Sequence, residues 1–154
     1  MKFEHIVEIN HPDLPENQCL RREQLWAGLV LRVEQPALFL EHLDAMQKVA
    51  EHEDGFSREL RFGQLVVRDR VVLEAPHQVC IQTQASEQHP SGTLTQRIEE
   101  PDPERLFVRF CYETSLDETD PEVAKVVGYV KAAYQDMDVE FVRLIRQRAA
   151  EGLL

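Results

Sequence analysis

DPEVAKVVGYVKAAYQDMDVEFVRLIRQRAAEG, from Asp120 to Gly152, is the stretch whose periodicity decides the fold. Val123, Val127, Val130, Tyr134, Met137, Phe141 and Ile145 recur there at three or four residues, which lays an apolar stripe along one helix face. Lys131, Gln135, Asp138 and Glu140 are assigned to the other faces. Asp120 stands as an N-cap, Pro121 takes the first helical position, and Gly152 suits the left-handed residue that ends a helix. Acidic Glu118, Asp120 and Glu122 crowd the start, and Arg143, Arg146 and Arg148 the end, in agreement with the helix dipole. About 30 residues at 1.5 Å each give roughly 45 Å, enough to cross a sheet diagonally.

Upstream of that helix the dominant period is two. Phe3, His5, Val7 and Ile9 alternate with Glu4, Ile6, Glu8 and Asn10, as in a half-buried strand. Leu25, Trp26, Leu29 and Val33 then mark a helix over residues 22–33, and Pro36 redirects the chain into a short second helix or turn over residues 37–43. Between His42 and Asp54 the pattern is mixed, with a turn at Glu53-Asp54-Gly55. Strands follow over residues 56–62, 64–74, 78–84, 92–100 and 106–114. Their short connections, through Gly63, Pro76 and Pro101-Asp102-Pro103, suit the hairpins of an antiparallel meander. The fold class is therefore α+β, with a large helix packed on one face of an antiparallel sheet.

The chain of 154 residues is the size of one ordinary domain, so residues 1–154 are expected to form a single unit. No apolar run approaches the roughly 20 residues of a membrane span, and the N-terminus lacks the basic-then-apolar order of a secretory signal. Cys19, Cys80 and Cys111 form no close pair. Reduced thiols and a cytoplasmic location are expected. The formal charge of -11 disfavours nucleic acid and anionic membrane surfaces as partners. His5, His11, His42, His52, His77 and His89 include no HExxH and no pair at helical four-residue spacing, and the glycines build no phosphate-cradling loop. No metal or cofactor is expected.

Alternation also nominates an inner face. Leu65, Val67, Asp69, Val71 and Leu73 share one side of their strand, so Asp69 is a carboxylate among aliphatics. Such a group must find a hydrogen-bond or ion-pair partner, meet a ligand, act in catalysis or lie near water. Leu106, Val108, Phe110 and Tyr112 form the apolar side of the last strand, and Gln96 sits between Leu94 and Ile98. With Phe62, Leu73, Ile81, Tyr134, Met137 and Phe141 these residues would line a pocket for a small apolar or aromatic molecule. The same side chains could instead meet as a solid core. His5 faces inward by phase and, with Asp69, is a candidate for proton transfer, although spacing alone places no partner beside it. On the opposite face Arg109 and Glu113 accompany Phe107 and Cys111, with Glu59, Arg61, Arg68 and Arg70 as candidate ion-pair partners. Val66, Val72 and Cys80 join them there, more apolar surface than a wet sheet needs, which makes a homodimer a candidate assembly.

The wording of the chain resembles the AtaL-like family, named after the acetylaranotin-cluster protein, within the START and birch-pollen-allergen superfamily. The residues carrying the resemblance are Phe3-Glu4-His5 with Ile9-Asn10, LRREQLWAGLVLRVEQP from Leu20 to Pro36 and FSRELRFG from Phe56 to Gly63. Asp69 with Val71, IEEP from Ile98 to Pro101, LFVRFCYE from Leu106 to Glu113 and the segment from Ala133 to Arg146 complete it. The resemblance implies a helix-grip fold: strand, two short helices, six strands and a long helix, with a curved sheet of about seven strands wrapped around that helix. It further implies a cavity between sheet and helix for apolar ligands, with cyclase, dehydratase or hydrolase chemistry as an alternative. One departure is Arg21, where the family pattern has Thr three residues before Gln24. Arg cannot complete a capping box, so a late or frayed helix start is expected.

Overall fold

The computed structural model describes residues 1–154 and opens with strand β1 (Lys2–Glu8). A one-turn 3-10 helix at Glu16–Gln18 leads into helix α1 (Arg22–Glu34), and another 3-10 turn covers Pro36–Leu38. Six strands follow: β2 (Ala45–His52), β3 (Gly55–Phe62), β4 (Leu65–Glu74), β5 (Gln78–Thr83), β6 (Gly92–Asp102) and β7 (Arg105–Thr114). Helix α2 (Pro121–Ala150) closes the order. Every pairing is antiparallel, and the sheet runs β1-β7-β6-β5-β4-β3-β2. This is the helix-grip fold, in which the first strand closes against the last and α2 lies along the inner face.

Local chemistry sets the helix ends. The Asp120 carboxylate accepts from the Glu122 amide at 3.0 Å, which satisfies one of the orphan donors of α2. At the other end Gly152 has φ 74°, and the Leu153 and Gly152 amides donate to the Arg148 and Ala149 carbonyls, the paired closure of a Schellman motif. Helix α1 begins at Arg22 despite Arg21, without the late start that a missing cap implies. Half of the capping box suffices: the Arg21 amide donates to Gln24 Oε1 at 2.9 Å. Where α1 meets α2, a Cβ added at Gly28 would come within 3.0 Å of Ile145, so glycine sets how closely the helices approach.

The mixed stretch of sequence holds edge strand β2. A bulge between Lys48 and Ala50 shifts the register, and most of its residues are exposed, so neither period two nor a buried face is printed in it. An edge strand with a bulge and a lysine resists pairing with other chains. The core lies between the inner sheet face and the two helices, built from residues such as Ile9, Leu25, Leu29, Val71, Phe110 and Ile145. No helix of the chain is long and apolar enough to cross a membrane.

Two expectations about faces are corrected. Asp138, assigned to an outer face of α2, is fully buried against the sheet. Its position, four residues after Tyr134 and three before Phe141, places it on the same stripe as they are. Arg109 takes its partners from the strands that flank β7, bonding Glu99 of β6 and Glu4 of β1. Glu59 on β3 instead binds Arg61 and Arg68.

Candidate functional site

Strand register collects the inward side chains into rows. One row reads Phe3, Tyr112, Leu94, Ile81, Val71 and Phe56 across six strands; the next reads His5, Phe110, Gln96, Val79 and Leu73. Side chains in register lie close enough to touch, so the inner face is one continuous surface facing α2. His5 sits between two rings of that surface, stacked with centroids 5.4 Å from Phe3 and 5.1 Å from Phe110.

Asp138 meets this surface from the helix. Its Oδ2 accepts from the Tyr112 hydroxyl at 2.6 Å and lies 2.7 Å from His5 Nε2, while Oδ1 accepts from Arg32 Nη2 at 2.9 Å. Arg32 Nη1 donates in turn to Gln96 Oε1 at 2.9 Å, and its guanidinium lies 4.4 Å from the Phe141 ring centroid. One carboxylate therefore ties together α1, α2, β1 and β7, and through Arg32 reaches β6. A buried carboxylate is tolerated because a cation and two further hydrogen-bonding groups face it. Gln96 Nε2 is buried without a hydrogen-bond partner, which marks the one incomplete corner of the network. Burial, and then the Asp138 charge, push the Tyr112 hydroxyl far above the usual tyrosine range. The Tyr134 hydroxyl is raised for the same two reasons.

Asp69 has its own partner. Arg58 Nε and Nη2 donate to its two oxygens at 2.8 and 3.1 Å, and Arg58 Nη1 reaches the Val33 carbonyl at 3.0 Å. Both side chains are buried, so the pair is a bidentate ion pair inside the core.

Two clefts flank this interior. The first, about 250 Å³, lies between the sheet and α2, with Leu60, Ile81, Leu94, Tyr112, Tyr134 and Met137 among its apolar and aromatic walls and the hydroxyls of Thr83, Ser91, Thr93 and Thr114 also lining it. Tyr112 and Tyr134 stack flat in it, centroids 4.1 Å apart and planes within 5°. The second, about 460 Å³, opens beside the Pro36–Leu38 turn and is walled by Phe39, Leu40 and Phe141 with Arg32. Phe62 and Met137 are the two residues that line both.

The residues nominated from sequence divide accordingly. Phe62, Asp69, Ile81, Tyr112, Tyr134 and Met137 line the first cleft, and Phe141 lines the second. Gln96 and Phe110 are fully buried beneath them, and Leu73 packs against the core, so these three line neither cleft. His5 belongs to the Asp138 network and also lines neither. Arg32, Arg58 and Asp138 were not nominated. Phase alone could have found two of them, since Arg58 falls between inward Phe56 and Leu60, and Asp138 lies on the apolar stripe. No group of three or more His, Cys, Asp or Glu side chains is arranged to hold a metal ion.

Comparison with known proteins agrees with the fold. The structure superposes on the Zhui aromatase/cyclase from Streptomyces sp. R1128 with a TM-score of 0.68 at 14% identity, covering 96% of this chain and 94% of that one. A START superfamily protein from Mycobacterium smegmatis gives 0.62 at 17% identity, with 99% of each chain covered. The Aha1 dimer from Colwellia psychrerythraea gives 0.63 at 13% identity, covering 95% and 96%. At such identities the likeness is one of fold. No curated protein sequence matches the chain. The family model described as acetylaranotin biosynthesis cluster protein L matches residues 5–152. The chain belongs to this AtaL family and shares its fold with the START superfamily protein.

Proposed function

We propose that this protein binds a small, neutral apolar or aromatic molecule in the first cleft, between β4 to β7 and α2. The observation that carries this is the cleft itself: aliphatic walls and a stacked tyrosine pair enclose about 250 Å³. Its polar groups are hydroxyls, an imidazole and one carboxylate, Asp69, whose charge Arg58 offsets. A space near the lower end of ligand-pocket volumes suits a molecule of about two fused rings. The fold it shares with an aromatase/cyclase is compatible with such a guest.

Titration with 1-naphthol tests this. Saturable binding is expected, with a heat or fluorescence change that vanishes in Leu94→Trp, which fills the cleft. Absence of binding at millimolar 1-naphthol, or binding unaffected by Leu94→Trp, sinks the proposal.

A second reading, a cyclase, dehydratase or hydrolase acting on such a guest, is favoured by one observation. Tyr112 lines the cleft and bonds to the Asp138 carboxylate behind it, a route for a proton between guest and interior. Turnover that disappears in Tyr112→Phe while guest affinity persists would support it. A homodimer through the outer sheet face remains part of the proposal, motivated by half-buried Val66, Val72, Cys80, Phe107 and Cys111 and by Ile6, 47% exposed, on one side of the sheet. A monomeric mass at micromolar concentration would remove it.

A further inference from the structure

The two clefts differ in charge. In the first, the Asp69 charge is offset by Arg58. Four charged side chains line the second: Arg32, Glu41, Asp136 and Glu140, together with the imidazole of His42. Arg32 is paired with Asp138, and Glu140 with Arg143, so those charges cancel locally. Glu41 and Asp136 are exposed where they line the cleft, and neither has a cation within ion-pair distance. Two uncompensated carboxylates thus share the cleft with walls made by Phe39, Phe62 and Phe141, with Phe39 and Phe141 in tilted contact at 5.1 Å.

We infer that the second cleft is a separate binding site for an aromatic or aliphatic amine in its ammonium form, the apolar body against the phenylalanines and the cation at Glu41 and Asp136. Aromatic faces and carboxylates are the two protein surfaces that attract an organic cation. The net charge of -11 raises the local concentration of cations around the whole molecule, so the preference is reinforced at long range and weakened by salt. Anionic guests meet repulsion from the same carboxylates. The linings of the two clefts have only Phe62 and Met137 in common, and none of the carboxylates or Phe39 and Phe141 used here lines the first, so the site does not depend on the first being occupied.

The test compares 1-naphthylmethylamine, 1-naphthylmethanol and 1-naphthylacetate by calorimetry at pH 8, where an imidazole is uncharged. The amine is expected to bind about fivefold more tightly than the alcohol, and the carboxylate more weakly than either, as befits two solvent-exposed charge contacts. In Glu41→Gln/Asp136→Asn the amine's advantage is expected to fall to about one, with the alcohol's affinity unchanged. Both substitutions are at exposed positions. Leu94→Trp, which fills the first cleft, is expected to leave the amine's advantage in place. Equal affinities in the unmodified protein, an advantage that survives the double substitution, or one abolished by Leu94→Trp would each overturn the inference. A failure of 1-naphthol to bind in the first cleft would leave all three outcomes as readable as before.

Discussion

The Tyr112 hydroxyl donates to Asp138 Oδ2 at 2.6 Å, joining the last strand to the C-terminal helix through two buried side chains. Arg32 holds the other carboxylate oxygen, so the contact fixes α1 and α2 on the sheet at one point. Removing the carboxylate leaves an arginine, 12% exposed, without its counter-charge.

Asp138→Ala is therefore expected to destabilise the protein by about 3 to 5 kcal/mol in urea unfolding. Asp136→Ala, two residues earlier and exposed, is expected to stay within about 0.5 kcal/mol. Similar losses at the two positions would show that the Asp138 contacts contribute little.

Arg58 and Asp69 form the second buried pair, and a double-mutant cycle reads their coupling. Arg58→Met alone strands a buried carboxylate and is expected to cost about 3 to 5 kcal/mol, whereas Arg58→Met/Asp69→Leu is expected to recover most of that loss. Strict additivity of the two single substitutions would contradict the bidentate pairing.

The tyrosines predict an alkaline weakness. Burial raises Tyr112 and Tyr134 in the folded state, so the fold binds their protons more tightly than the unfolded chain does. Their stabilisation is complete below about pH 10, the ordinary tyrosine value, and is lost as the pH climbs above it. Unfolding free energy is expected to fall by about 1.4 kcal/mol per pH unit through buried Tyr112, with a smaller, solvent-screened share from Tyr134, and less steeply in Tyr112→Phe. An unchanged slope in that variant would remove Tyr112 from the explanation.

Two glycines should respond in opposite directions. At Gly55, φ 157°, a Cβ would fall 1.9 Å from the Val71 carbonyl oxygen, and Gly55→Ala is expected to cost more than about 2 kcal/mol. A Cβ at Gly128 in α2 meets nothing within 4 Å, and Gly128→Ala is expected to raise stability by about 0.5 to 1 kcal/mol. Thermal unfolding measures both.

Much of the candidate site was legible because strands have period two. Tyr112, Ile81 and Asp69 could be placed on the inner face by counting, and register then brought Tyr112 and Ile81 into one row. Strand β2 was not legible, since its bulge and exposure erase alternation. Asp138 was misplaced for a chemical reason: a charge suggests solvent, although its spacing along α2 says core. Gln96 and Phe110 were placed inward by phase, but whether an inward side chain reaches a cleft depends on what packs over it.

By itself the sequence determined the order of elements apart from β2, the ends of α2 and the side of most strands that faces inward, because capping chemistry and hydrophobic period act over a few residues. Tertiary structure decided what stands next to what. His5 and Asp138 are separated by 133 positions, and Arg32 and Asp138 by 106. Only the closing of β1 onto β7 and the laying of α2 across the sheet give the buried carboxylate its partners. Cleft volume is likewise the residue of packing between distant segments, which no local pattern encodes.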